Sequence, residues 1–277
     1  MGLRINTNVQ SLAAQRALSA NSSAQKADLE KLSSGSRIVR AADDAAGLAI
    51  SEKMKSHIRS LSQDMRNAGD GISMIQTAEG AMNETGNILT RFRELSIQAA
   101  SDTIGDTERG FINKEVQQLG AEIDRIAKST EYNGRKLLAG EGDMLEIQVG
   151  LKNDKVLDRF QYDVAKVNST ADALGVAGLS VATKEDAQNN LDKIDKAITT
   201  LSGNRAEMGA LQNRLQSSLN NMQIYHENLS AGNSRIRDVD VASETAELTK
   251  NNILTQATTS VLGQANQNSM MALKLIG

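Results

Sequence analysis

Cysteine, proline and tryptophan are absent from the 277 residues, and aromatic residues of all kinds make up 2%. Without Cys there is no disulfide framework, no thiol nucleophile and no cysteine-based zinc site. Average usage of about 5% would have supplied roughly 14 prolines, so their absence leaves long helices free to run uninterrupted. Three Tyr and three Phe are too few for a thick, round core, because aromatics contribute most buried area per residue. Histidine occurs twice, as His57 and His226, which removes most metal and acid–base constellations. The 31 basic and 34 acidic residues nearly cancel, giving a net charge of -3 and no electrostatic case for nucleic acid. The first 30 residues lack an apolar core segment, so no cleavable secretion signal is expected. Residues 251–273 are uncharged and long enough to span a bilayer, yet they carry Asn251, Asn252, Gln256, Gln264, Asn266, Gln267 and Asn268, too polar for a lipid-facing helix. No phosphate loop, nucleophile elbow or paired-carboxylate motif stands out, so no catalytic, cofactor-binding or metal-binding residue is assigned and no enzyme is expected.

What is present is a period of 3.5. From Leu61 the apolar positions run Met65, Ala68, Ile72, Ile75, Met82, Leu89, Phe92 and Leu95, a heptad seam over about five heptads. Its start is placed at the Asp43-Asp44 pair, where a carboxylate caps the first helical amides, and its end near Ala100. A second seam, Ile112, Val116, Leu119, Ile123, Ile126, predicts a helix over 106–129, antiparallel to the first across the short link 101–105. A third runs from Leu191 through Ile194, Ile198, Leu201, Met208, Leu215 and Met222 to Ile236, with Arg205, His226 and Asn233 as polar slots. The histidines read as polar residues tolerated in coiled-coil layers. Amphipathic rods of this kind bury their stripes only against one another.

Between the second and third rods the period changes to 2. Leu145, Ile147 and Val149, then Phe160, Tyr162 and Val164, alternate with polar residues around a turn-rich segment, which predicts a β-hairpin at about 143–167 and a short irregular connector at 168–183. A hairpin alone is marginal, so it must lie on the helices. The two ends differ: narrow apolar stripes are separated largely by Ala, Ser, Asn, Gln and Thr. One such helix buries too little apolar area to offset its ordering entropy. The expectation is that both ends gain structure only when covered by neighbouring copies, which is a polymerisation device. The fold class is therefore mainly α: an elongated antiparallel helical bundle with one hairpin and paired terminal helices. Residues 1–40 and 236–277 form the two halves of an inner coiled-coil layer, and 41–235 a rod. The neutral face of the last helix, with Gln264 and Asn268, suits the lining of an aqueous channel.

The segments LSSGSRIVRAADDAAGLAISEKM (32–54), MRNAGDGISMIQTAEGAMNE (65–84) and RFRELSIQAA (91–100) resemble the N-terminal signature of bacterial flagellins. RAEMGALQNRL (205–215), ENLSAGNSRIRDVDVASETAELTKNNIL (227–254) and QANQ (264–267) resemble the C-terminal signature. The resemblance implies paired terminal helices around a narrow export channel, a surrounding rod of three helices plus a hairpin, and no large outer domain, since only about 15 residues stand where such domains insert. The function it implies is structural: a subunit that polymerises with itself into the flagellar filament used for swimming, exported unfolded without a cleaved signal and assembled at the tip.

On that reading Ile5, Val9, Leu12, Leu18, Leu254, Val261 and Leu275 belong to the inner polymerising layer. The resemblance further implies a flagellar export apparatus, a chaperone on residues 230–277, hook-junction and cap proteins, and an animal innate immune receptor that meets Arg91, Leu95 and Glu115. It also implies that the hairpin lets one subunit take two closely related packings, so that the filament supercoils. Neither nucleic acid nor membrane is an expected partner. Two alternatives stand beside this reading: a hook–filament junction protein of similar terminal architecture, and a coiled-coil interaction module or host-receptor ligand whose terminal helices are stable in the monomer.

Overall fold

The computed structural model describes residues 7–274, and side chains for 7–267. In chain order the elements are α1 (Val9–Ser34), α2 (Ala45–Ala99), α3 (Asp106–Ser129), β1 (Glu131–Tyr132), β2 (Arg135–Lys136), β3 (Leu145–Gln148), β4 (Arg159–Tyr162), α4 (Lys184–Arg237) and α5 (Val241–Lys274). They divide into two compact units, Met1–Ile58 with Glu227–Gly277, and Arg59–His226.

The heptad seams become the core of the second unit. Leu61, Ala68, Ile75, Met82, Leu89 and Phe92 of α2 are buried, as are Ile112, Val116 and Ile123 of α3 and Ile194, Leu201, Met208, Leu215 and Met222 of α4. Met65, Ile72 and Leu119 are only half-buried, and polar Asp64, Thr85 and Ser96 share the inner face of α2 instead. The Thr85 and Ser96 hydroxyls donate to the carbonyls one turn back, Ala81 and Phe92, which is how a hydroxyl satisfies itself inside a helix bundle. Cross-links set the directions. Arg91 meets Glu115 while Arg109 donates to the carbonyl of Ala99, so α3 runs antiparallel to α2. Arg93 meets Asp195 and Arg205 lies 3.8 Å from Glu79, so α4 does too.

The predicted hairpin is present as β3 and β4, paired Leu145 with Tyr162 and Ile147 with Phe160. It lies on α2, where the Nδ2 of Asn67 donates to the carbonyl of Gln148 at 3.2 Å. At Gly71 a Cβ would stand 2.8 Å from the Cδ1 of Ile147, so the close seat requires glycine. Tyr162 is buried and donates its hydroxyl to the carbonyl of Leu137 at 2.8 Å, and burial raises its pKa far above the ordinary tyrosine value. The connector is ordered by α3: Asn113 accepts from the amide of Val181, Gln117 donates to the carbonyl of Leu179, and Asp124 accepts from the amide of Ala171. A second small hairpin, β1 with β2, was not anticipated, although its Asn133-Gly134 turn, with φ of 50° and 76°, is a strong hairpin signal.

In the first unit α1 ends at Gly35, whose φ of 68° suits glycine, and the chain then bridges to the α4–α5 junction. Ser36 pairs with Asp238, Arg37 donates its amide to the carbonyl of Arg237 at 2.6 Å, and Val239 donates to the carbonyl of Gly35 at 3.1 Å. The Asp43-Asp44 pair divides its labour. Asp44 accepts from the amide of Gly47 at 2.8 Å and caps α2, whereas Asp43 accepts from the amides of Val39 and Arg40 and ties the preceding turn. The Arg40 and Val39 amides hold the Asp43 carboxyl below its ordinary pKa. Asn233, a polar slot of the third seam, accepts from the Ser51 hydroxyl at 2.8 Å.

Candidate assembly surface

Helices α1 and α5 pair antiparallel through a ladder of polar side chains. Reading along α1, Asn8 donates to the carbonyl of Ala265 at 2.9 Å, and Ser11 donates to Asn266 at 2.9 Å. Asn21 donates to Thr258 at 3.1 Å and Gln25 to Asn252 at 2.6 Å. Asn251 donates to Asp28 at 2.7 Å, and Lys31 bonds Glu244 at 2.9 Å. Asp28 and Asn251 are 5% and 7% exposed, so that rung is buried, whereas the Ser11–Asn266 rung is exposed. The Glu244 hydrogen bond raises the Lys31 pKa.

The apolar residues of the same two helices face the other way. Val9 is 61% exposed and Val261 57%, with Leu12, Leu29, Ile253 and Leu254 also exposed. Leu18 is half-buried. Of the residues expected in the inner layer, Ile5 and Leu275 lie outside the described residues, and the remaining five lie on this pair with four of them open to solvent. A groove of about 610 Å³ opens on the pair, floored by Ala13, Ala14, Ala17, Ala257 and Ala265 and flanked by Val261 and Gln264. Gln264 is exposed; the Asn268 side chain lies outside the described residues. The interior of the pair holds small apolar and polar side chains, Ala14, Ala265, Asp28 and Asn251, while large aliphatic ones stand in water. Covering what remains exposed is worth about 1 kcal/mol per large side chain at about 25 cal/mol per Å², so apolar neighbours would stabilise the pair.

The candidate receptor face lies on the other unit. Arg91 donates to Glu115 at 3.0 Å and to Glu94 at 3.1 Å, all three being exposed. Leu95 is 2% exposed and belongs to the core beneath them. The Glu115 bond is the main cause of a raised Arg91 pKa. Sequence reasoning missed Asp28 and Asn251, because apolar periodicity was the signal followed and the informative spacing here is carried by polar residues. Among the described residues no cluster of three His, Cys, Asp or Glu could hold a metal ion, and no helix is long and apolar enough to cross a membrane.

Comparison with known proteins finds matches toward both ends of the chain. The bacterial flagellin N-terminal helical region matches residues 5–143, and the bacterial flagellin C-terminal helical region matches 191–276. The chain is 43% identical to a flagellin of Halalkalibacterium halodurans over 98% of its own length and 99% of the relative's. It is 43% identical to a flagellin of Bacillus subtilis over 99% and 100% of the two chains. A solved chain from Vibrio parahaemolyticus, described as a flagellar hook-associated protein, shares the fold at 13% identity, with a TM-score of 0.58 over 71% of this chain and 100% of that one.

Proposed function

The chain belongs to the bacterial flagellin family, and from that premise we propose how its surfaces serve assembly. It is a structural subunit that polymerises with itself into the extracellular flagellar filament of swimming bacteria. The α1·α5 pair is the inner layer of that polymer. Its exposed Val9, Leu12, Leu254 and Val261, with Leu18, pack against adjoining copies, and Ile5 and Leu275 extend the same layer. The observation that carries this reading is the exterior of the pair, a row of large aliphatic side chains left in water beside a buried Asp28–Asn251 rung.

The finer steps follow the same physics. The chain leaves the cell unfolded through the flagellar export apparatus, and residues 230–277 are held by a chaperone until then. At the tip, under a cap and above hook-junction proteins, the terminal segments fold as adjoining copies cover them. Absence of Pro removes slow isomerisation from that step. Gln264 and Asn268 offer amides to the channel through which later chains pass. The hairpin on α2 supplies the two packings needed for supercoiling. Where an animal host is met, Arg91 and Glu115 form the face an innate receptor reads, with Leu95 holding it from beneath.

Electron microscopy of the purified chain after seeding with filament fragments tests the central claim. Long helical fibres are expected, and their failure to grow from wild-type chain at any concentration overturns it.

A further inference from the structure

The ladder has a spacing of its own. Ala14, Asn21 and Asp28 stand seven residues apart on α1, and Ala265, Thr258 and Asn251 stand seven apart, in reverse, on α5. Asn21 bonds Thr258 and Asp28 bonds Asn251, while Ala14 and Ala265 are both buried in the groove. These three heptad layers are graded from Ala–Ala through Asn–Thr to Asp–Asn. A small, weakly apolar seam of this kind leaves neighbouring registers open, because sliding one helix by a heptad, about 10 Å, again matches position with position.

We infer that Asp28 and Asn251, with Lys31 and Glu244 beside them, are the register key of the terminal pair: they specify which of the heptad-related alignments α1 and α5 adopt. The inference rests on the reading of this pair as the inner assembly layer. A slip in one direction puts Asp28 opposite Glu244, two carboxylates in a buried layer, and takes Lys31 from its partner. A slip in the other puts Asp28 opposite Thr258 and Asn251 opposite Gly35, past the end of α1, leaving the Asn251 amide without its carboxylate. A buried polar group left unpaired is costly, whereas in the native register each finds its complement. Such a key is useful to a chain whose two ends, more than 200 residues apart in sequence, must find one alignment quickly. Specificity of this type is obtained at some cost in stability, since well-packed aliphatic residues would hold the helices together more tightly.

The absence of cysteine makes register directly measurable. Three reporters are introduced in the full chain: N21C/T258C for the native alignment, N21C/A265C for a slip of one heptad in one direction, and A14C/T258C for the other. Each is co-assembled at trace level with wild-type chain, and a short thiol cross-linker is applied to filaments and to the soluble fraction together. With Asp28 and Asn251 intact, the native reporter should cross-link about tenfold more than either slipped one. In a D28L/N251L background the slipped reporters should rise to within about threefold of the native one, with the slipped copies enriched among chains that fail to enter filaments. Exchanging the pair, D28N/N251D, should keep N21C/A265C low, since donor and carboxylate have only changed helices, and should let A14C/T258C rise, since the amide at position 28 no longer repels Glu244 in that slip. If the native reporter keeps its full advantage in D28L/N251L, or if N21C/A265C rises as much in D28N/N251D as in D28L/N251L, the key is elsewhere and the inference falls. Should the leucine variant not fold, D28N alone removes the repulsion from Glu244, and an unchanged A14C/T258C yield then overturns the inference. Failure of wild-type chain to grow fibres would instead overturn the assembly reading, with the register ratio still measurable on the soluble chain.

Discussion

The unit containing residues 59–226 and the α1·α5 pair are both built of amphipathic helices, yet they differ in where their large aliphatic side chains lie. Within the first, Leu89, Phe92, Ile123, Ile194 and Leu215 are inside, and the ion pairs Arg93–Asp195 and Lys184–Asp102 are outside. Within the pair, Asp28 and Asn251 are inside, and Val9, Val261 and Ile253 are outside. An apolar interior supplies the driving force of folding within one chain. On the proposed assembly reading, an interior of small and polar side chains supplies alignment and little driving force, so one unit carries its stability with it and the terminal pair gains it from adjoining copies.

The contrast is broken most severely by cavities in the apolar interior. Leu215 is fully buried, and Leu215→Ala should destabilise the soluble chain by about 2–5 kcal/mol, read as a lower midpoint in urea by circular dichroism. The matching change on the pair, Val261→Asp, should leave that midpoint within about 0.5 kcal/mol, because an exposed site has no packing to lose. It should instead raise the critical concentration for seeded growth by at least about tenfold, the equivalent of about 1.4 kcal/mol per subunit. Equal loss of soluble-chain stability in both variants would erase the distinction between the two regions.

Glycines in α2 sharpen the same comparison on a smaller scale. An added Cβ at Gly80 meets nothing within 4 Å, so Gly80→Ala should stabilise by up to about 1 kcal/mol through helix propensity alone. At Gly71 the Cβ stands against Cδ1 and Cγ2 of Ile147, at 2.8 and 3.2 Å, and the overpacking cost of about 1–3 kcal/mol outweighs that gain. Hydrogen exchange at the β3 amides should then accelerate in Gly71→Ala and not in Gly80→Ala. Equal behaviour of the two would mean that the hairpin is not seated on the helix by shape.

The apolar unit was the part readable from the sequence. Heptad spacing located α2, α3 and α4, and alternation located β3 and β4, because burial of aliphatic side chains is the signal that periodicity detects. The carboxylate cap of α2 was readable for a local reason, a side chain reaching its own amides. The terminal seam was not readable in the same way, since Asp28 and Asn251 look like surface residues until the partner helix, more than 200 residues away, is brought alongside. Leu95 illustrates the converse. Its motif suggested a recognition residue, while its heptad position placed it in the core, and the core is where its side chain lies. The short β1–β2 hairpin, two residues per strand, offers too few alternating positions for periodicity to register.

The gentlest test uses pH on a polar residue lodged in the apolar unit. Asp64 is buried on α2, on the same helix face as Asn67 and Gly71 where the hairpin sits, and its Oδ2 has no hydrogen-bond partner. Burial is the main cause of its raised pKa, and the negative charge of Asp158 in the hairpin turn adds to it. A carboxyl whose pKa is higher in the folded chain than in the unfolded one favours folding in its protonated form. That contribution is complete below the ordinary carboxylate range and is lost as pH rises through the folded value. Above that, the ionised group is a constant liability. Asp64→Asn, which keeps the shape and removes the charge, should therefore raise the melting temperature at neutral pH. It should also flatten the decline in stability that the wild-type chain shows on leaving the acidic range, since the amide does not titrate. Asp28, by contrast, has Asn251 bonded to its carboxylate, so Asp28→Asn should bring no such gain at neutral pH. If Asp64→Asn melts lower than wild type at pH 7 while Asp28→Asn melts higher, the assignment of misfit to one interior and fit to the other is reversed.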